Sequence, residues 1–265
     1  MGSIRFDRVN KIFGAGKAGV KALDDINLEI AEKEFVAIVG PSGCGKTTCL
    51  RIVAGFERPT TGTVSVNGRP VSGPGPDRAV VLQHFALFPW KTVRENIDLG
   101  LRNKSIAKAQ RDALIDDALN LMNLESHADA FPHQLSGGMQ QRVAIARAYV
   151  LDPEVLLMDE PFGALDAQTR VMMQEELVRL ARVNPRTVLF ITHSVEEAVY
   201  LADRIAVMTR RPGRIKEMID IKAIRSAEKW NERPRIEDVM DLESFIHLRT
   251  HIWKSLREEK SEDRH

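Results

Sequence analysis

Short stretches of alternating apolar and polar residues open the chain: Ile4, Phe6 and Val9, then Ile26, Leu28 and Ile30, then Val64 and Val66. A period of two buries one face of a strand and leaves the other to water, so these stretches predict half-buried antiparallel strands. Asn67-Gly68 predicts a hairpin turn, and Gly73-Pro74-Gly75-Pro76-Asp77 reads as a loop. From about Lys91 to Tyr149 the spacing turns helical, with Leu114, Ile115, Ala118, Leu121 and Met122 on one face, which predicts an inserted helical subdomain. The following segment alternates continuous apolar runs with helical stretches, the pattern of a parallel sheet covered on both faces. From Lys222 onward the chain is densely charged, and only Leu242, Phe245, Ile246, Ile252, Trp253 and Leu256 predict an amphipathic helix near the end. The expected organisation is a main domain over 1–221, with its helical subdomain at about 91–149, and a charged helical extension over 222–265.

Composition narrows the function without naming it. The chain has 265 residues, 43% hydrophobic and 28% charged, enough for a sizeable core. Lys and Arg number 38 against 37 Asp and Glu, and so even a balance argues against nucleic acid as the main partner. No apolar run approaches the roughly 20 residues of a membrane helix. The start, Met1-Gly2-Ser3-Ile4-Arg5-Phe6, carries no apolar signal region, so a cytoplasmic location is expected. Cys44 and Cys49 lack zinc-type spacing, and neither a disulfide framework nor a metal–thiolate site is expected.

The chemistry gathers at the ends of apolar runs. Phe35-Val36-Ala37-Ile38-Val39 leads into Gly40-Pro41-Ser42-Gly43-Cys44-Gly45-Lys46-Thr47-Thr48 and then a helical stretch, which is a P-loop in its required strand-to-helix context. Its glycines let backbone N–H groups converge on phosphate oxygens, and the helix N-terminus adds partial positive charge. Lys46 reaches the β- and γ-phosphates and Thr47 can ligate magnesium. Three other runs also end in polar residues: Val80-Val81-Leu82 in Gln83, Val155-Leu156-Leu157-Met158 in Asp159-Glu160, and Val188-Leu189-Phe190-Ile191 in Thr192-His193. Ligands of an open parallel sheet sit beyond the carboxyl ends of its strands, so all four termini should converge on one phosphate site. Glu160, His193, Gln83 and Lys46 are the candidate catalytic groups, and Thr47, Gln83 and Asp159 the candidate magnesium ligands. Cys44, near a helix N-terminus, is expected to favour its thiolate and to make the protein sensitive to thiol reagents, with ATP protecting.

Leu135-Ser136-Gly137-Gly138-Met139-Gln140-Gln141-Arg142, upstream of the Asp159-Glu160 run, resembles the signature of ABC-transporter ATPases. The resemblance runs from about Ile4 to Arg214 in the family's motif order. It implies an α/β fold: a RecA-like P-loop NTPase core with an antiparallel β subdomain and the inserted helical subdomain. It further implies that Phe13 stacks on the nucleotide base, that Gly163-Ala164-Leu165-Asp166 is a D-loop, and that two copies sandwich two ATP molecules. In that sandwich Ser136, Gly137 and Gly138 of one copy face the γ-phosphate held by the other, and Asp166 couples the two sites. The plainer roles of Ser136 and Asp166, as N-caps of the helices that follow, stay open beside these. Phe13 stands where many relatives have Tyr, Met139 where Gln is common, and Ser194 where an acidic residue often follows the histidine.

Gln83-His84-Phe85-Ala86-Leu87-Phe88-Pro89-Trp90-Lys91-Thr92-Val93-Arg94-Glu95-Asn96-Ile97 is similar to importer subunits serving nitrate, sulfonate and taurine. Phe131-Pro132-His133-Gln134 agrees with that group. The resemblance then implies an ATP- and Mg2+-dependent energy-coupling subunit for a small anion, peripheral on the inner face of the cell membrane. Its implied partners are a second copy, an integral-membrane permease and, indirectly, a periplasmic or extracellular solute-binding protein, with no nucleic acid. The alternatives are a soluble ABC ATPase acting on nucleic acid or ribosomes, and the ATPase of an exporter. For the tail, regulation, dimer stabilisation and simple capping of the fold all remain open.

Overall fold

The computed structural model describes residues 2–14, 19–102, 104–233 and 235–261. Strands β1 (Ile4–Phe13), β2 (Val20–Ile30), β4 (Thr61–Val66) and β5 (Arg69–Pro70) form an antiparallel sheet in the order β2-β1-β4-β5. Asn67 and Gly68 both take positive φ, 54° and 72°, and turn β4 into β5 as the sequence predicts. The second sheet has the order β10-β9-β3-β8-β7-β6. Its members are β3 (Phe35–Val39), β6 (Arg78–Val81), β7 (Val155–Asp159), β8 (Thr187–Ile191), β9 (Arg204–Met208) and β10 (Ile215–Asp220). Neighbours from β6 through β9 run parallel, and β10 closes the edge antiparallel to β9.

The period-two geometry of these strands divides the interior into two apolar clusters. Phe35, Ala37, Val39, Leu156, Met158, Val188 and Phe190 point to one side, against α2 (Val93–Asp98), α3 (Lys108–Leu121), α4 (Gly137–Tyr149), α5 (Ala167–Val183) and α6 (Val195–Leu201). Val36, Ile38, Val155, Leu157, Leu189 and Ile191 point to the other, against α1 (Lys46–Ala54) and the buried face of the antiparallel sheet. The strands need apolar residues at every position because both faces are covered.

The region after Lys222 holds more structure than one helix. Besides α9 (Glu243–Ser261), it forms α7 (Lys222–Ala227) and α8 (Ile236–Met240), which the charge density masks. Trp230, Val239, Phe245 and Ile252 are buried in the same cluster as the parallel sheet. Of the residues expected to form the amphipathic face, Leu242 and Leu256 are partly buried, while Ile246 and Trp253 remain exposed. Arg225 of α7 donates to the carbonyls of Val199, Tyr200 and Ala202 at the C-terminal end of α6, where a cation is favoured. The last four residues of the expected extension, 262–265, lie outside the described residues.

Candidate nucleotide site

The strand register fixes the geometry of the site. Ile38 pairs with Ile191, and Ile191 pairs with Asp159, so the segments following β3, β8 and β7 leave the sheet at one level. Gly40–Gly45 bends sharply there, with Gly43 and Gly45 at φ of 78° and 102°, values that L side chains rarely adopt. Gly45 is the N-cap of α1, so the helix starts at Lys46 with its free N–H groups facing the loop. The Lys46 ammonium donates to the carbonyls of Gly40, at 2.8 Å, and Pro41, at 3.1 Å.

Two side-chain pairs complete this end of the sheet. Thr47 Oγ1 donates to Asp159 Oδ1 at 3.2 Å, and His193 Nδ1 lies 3.1 Å from Glu160 Oε2. Burial holds the Asp159 carboxyl above its ordinary pKa; the neighbouring Glu160 charge acts in the same direction and the Thr47 hydrogen bond opposes it. Glu160 sits at φ 46°, a left-handed conformation that is costly for a residue with a side chain, while its N–H donates to Ile191 O at 2.8 Å. Such backbone strain concentrates at functional positions.

A cleft of about 350 Å³ opens over the loop, lined by Phe13, Val20, Ala22, Ser42, Gly43, Gly45, Lys46, Thr47, Thr48, Glu160 and Arg211. Phe13 is 42% exposed, with the Lys11 ammonium 4.8 Å from its ring centroid. The antiparallel sheet is tied to the core by Gly213, whose N–H donates to Ala22 O and whose carbonyl accepts from Asp24 N, and by the ion pair between Arg214 and Asp24. These ties hold the wall of Phe13, Val20 and Ala22 over the P-loop. Arg211 was missed in the sequence, although Arg210-Arg211-Pro212-Gly213 follows the apolar run of β9. The signal was available, since β9 is another parallel strand beside β3 and its C-terminal end must reach the same level.

The remaining expected residues do not line this cleft. Gln83 is exposed beside Gly163, where a Cβ added to that glycine would stand 3.0 Å from the Gln83 amide nitrogen. Ser136 caps α4 by accepting from Met139 N at 3.3 Å, and Asp166 caps α5 by accepting from Gln168 N and Thr169 N at 3.1 and 3.0 Å. These hydrogen bonds from the backbone hold the Asp166 carboxyl below its ordinary pKa. Ser136, Gly138 and Met139 line a separate cleft of about 280 Å³ with Arg142, Thr169, Met172 and Met173. A single chain therefore does not bring the signature to its own P-loop. Ser194 caps α6 by accepting from Glu197 N, so the polar partner of His193 is Glu160 rather than its own successor.

The expectation for Cys44 is overturned. Its side chain is fully buried in the second apolar cluster, and burial pushes the thiol pKa up although the Lys46 ammonium stands 4.0 Å from the sulfur. Proximity to a helix N-terminus would favour a thiolate only if the sulfur faced that terminus and water. Here it is shut off from water.

The loop after Gln83 is pinned from beneath by two polar residues with no sequence signature. Arg147 donates to the carbonyls of Phe85 and Ala86 at 3.1 and 2.8 Å. Asn96 is fully buried, accepts from Phe88 N at 2.8 Å and donates to the carbonyls of Phe88, Lys91 and Thr92. Phe85 and Leu87 pack inward, while Phe88 and Trp90 form an edge-on pair, 5.5 Å between centroids, with Trp90 69% exposed. Backbone bonds from Val93 N to Ala130 O and from Arg94 N to Ala128 O run the segment before Phe131 alongside this loop.

Strand, glycine-rich turn, lysine, hydroxyl and paired carboxylates together define a P-loop nucleoside-triphosphatase. Residues 23–163 match the family model described as ABC transporter. An uncharacterized ABC transporter ATP-binding protein of Methanocaldococcus jannaschii is 50% identical over 256 residues, 97% of this chain and 92% of that protein. A nitrate import ATP-binding protein of Synechocystis is 47% identical over 213 residues, 80% of each chain. Among solved structures, a dimeric ATP-binding cassette in a post-hydrolysis state with ADP and Pi superposes with a TM-score of 0.71 at 32% identity, covering 82% of this chain and 98% of that one. The chain belongs to the ABC transporter family as an ATP-binding subunit, and it is an ATPase.

Proposed function

We propose that this chain is the energy-coupling ATPase of an importer for a small anion, with nitrate the leading candidate and sulfonates or taurine next. The observation that carries the reading is the pinned loop with its exposed Phe88–Trp90 pair, in a chain 47% identical to a nitrate import ATP-binding protein. Exposed aromatics on a rigid support suit a hot spot for a permease subunit. A location on the inner face of the membrane follows from that docking, since no described helix is long and apolar enough to cross a membrane.

Within the site, Lys46 would turn from the Gly40 and Pro41 carbonyls to the β- and γ-phosphates, while the P-loop N–H groups and Ser42, Thr47 and Thr48 cradle them. Thr47 and Asp159 offer hard oxygen donors already within 3.2 Å of each other, the chemistry a magnesium ion requires, with Gln83 as a further oxygen ligand. Magnesium when bound would neutralise phosphate charge. Glu160 would accept the proton of the attacking water and His193 would hold Glu160 in position. The separation of the P-loop cleft from the Ser136–Gly138 cleft supports a sandwich in which a second copy supplies Ser136, Gly137, Gly138 and Asp166 to each nucleotide.

The test is growth of a strain lacking this chain on nitrate as sole nitrogen source and, separately, on taurine or an alkanesulfonate as sole sulfur source. Loss on nitrate alone assigns nitrogen uptake, and loss on sulfonates alone assigns sulfur scavenging. Undiminished growth and solute uptake on all of them would overturn the small-anion assignment.

A further inference from the structure

A third cavity, of about 280 Å³, lies between the P-loop and the C-terminal helix α9, lined by Gly40, Pro41, Ser42, His193, Arg210, Trp253, Leu256 and Arg257. Ser42 lines this cavity and the nucleotide cleft alike. Its walls differ in character. The Trp253 indole and Leu256 are apolar, Arg210 and Arg257 bring positive charge, and the loop backbone and His193 form the side nearest the catalytic groups.

The acidic residues nearby already have partners, two of them in the cavity's own wall. Glu259 accepts from the backbone N–H of Arg210 at 3.1 Å and pairs with Lys216, which also pairs with Glu258. Glu196 accepts from Trp253 Nε1 at 3.5 Å and from Ser194 Oγ at 3.3 Å. Arg257 is exposed and has no hydrogen bond or ion pair to another described residue. A guanidinium without a carboxylate, beside an exposed indole and over a pocket, is a site for an anion that also has a flat or apolar body.

We infer that this cavity binds a small organic anion, its charged group on Arg257 and its apolar part on Trp253 and Leu256, and that occupancy restrains His193 and slows ATP hydrolysis. The link is direct, because His193 lines the cavity while its Nδ1 lies against Glu160. The inhibition rests on the proposed roles of Glu160 and His193, whereas binding does not.

Benzenesulfonate is the probe, titrated calorimetrically into the full-length nucleotide-free chain and then into ATPase assays. Wild type should bind it, and Arg257→Ala and Trp253→Ala should each weaken binding at least tenfold. Both side chains are solvent-exposed, so the fold should survive, as a thermal melt would verify. Basal ATPase should be unchanged in Arg257→Ala while inhibition by benzenesulfonate is lost, and inhibition of wild type should lower kcat without raising KM for ATP. No binding to wild type, equal affinity in the variants, or displacement by ATP competing for the Phe13 cleft would each overturn the site. So would a fall in ATP-driven dimerisation of Arg257→Ala without any binding, which would make the cavity a seat for the second copy. Binding without inhibition would retain the site but sink the restraint on His193, and an inactive wild type would count against the ATPase reading alone.

Discussion

Replacing Lys46 by Met separates two duties that one ammonium performs. In the structure it is 7% exposed and satisfies the carbonyls of Gly40 and Pro41. With nucleotide present it is expected on the β- and γ-phosphates. Met keeps the length of the stem but donates no hydrogen bond. A hydrogen bond to a charged group contributes about 1.5–3 kcal/mol, which at about 1.4 kcal/mol per decade is roughly a ten- to 140-fold loss of ATP affinity. The empty protein should also lose about 1–3 kcal/mol from the two uncompensated carbonyls, or a few degrees in Tm for a chain of this size. AMP, lacking both phosphates, should bind as before. Competition against a fluorescent nucleotide gives the affinities, and thermal melting without ligand gives the stability. ATP affinity within twofold of wild type would refute the phosphate contact. Equal weakening of ATP and AMP would mean that the loop had collapsed instead.

Asp159→Asn should make the empty protein more heat-stable at pH 7 while reducing the extra stabilisation from Mg-ATP. Because its native pKa lies above the ordinary 3.8, the folded state holds its proton more tightly, so this group's contribution falls as pH rises between the two values and stays unfavourable at neutral pH; differential scanning fluorimetry with and without Mg-ATP reads both effects, and a lower Tm for the empty variant would contradict the burial argument. Cys44 and Cys49, both fully buried with thiol pKa values raised by burial, should resist iodoacetamide in the folded protein and react promptly in denaturant. Rapid labelling of the native chain that ATP blocks would restore the discarded thiolate. Asn96→Ala, which strips four hydrogen bonds from a fully buried position, should cost about 3 kcal/mol in chemical denaturation, and a change below about 0.5 kcal/mol would show that the loop does not depend on it.

The parallel core and the candidate site residues at its strand ends were legible because the constraints on them are local. A strand buried on both faces must be apolar throughout, and a phosphate-binding turn must carry glycines and a lysine within a few positions. The strand order puts β8 between β3 and β7, so His193 and Glu160 meet through register rather than proximity in sequence, and their pairing could only be expected as part of a shared strand-end level. Arg211, Arg147 and Asn96 escaped notice because their partners carry no periodic signal: Arg211 lines the cleft with the P-loop and the antiparallel sheet, far off in sequence, while Arg147 in α4 and Asn96 in α2 hold carbonyls of the irregular loop after Gln83. The direction of the Cys44 side chain was likewise invisible. A motif fixes the path of the loop, but which loop atoms face the ligand and which face the core depends on φ at Gly43 and Gly45. In the tail, charges on exposed faces outnumber the few anchors, Trp230, Val239 and Phe245, that tie α7 to α9 onto the core.

The sandwich is most directly tested by sedimentation velocity of purified Glu160→Gln with and without Mg-ATP. A monomer without nucleotide, a dimer with it, and loss of that dimer on adding Ser136→Arg are expected, since Ser136 lies in a cleft separate from its own P-loop. A monomer at saturating ATP, or a dimer indifferent to Ser136→Arg, would contradict a site built from two copies.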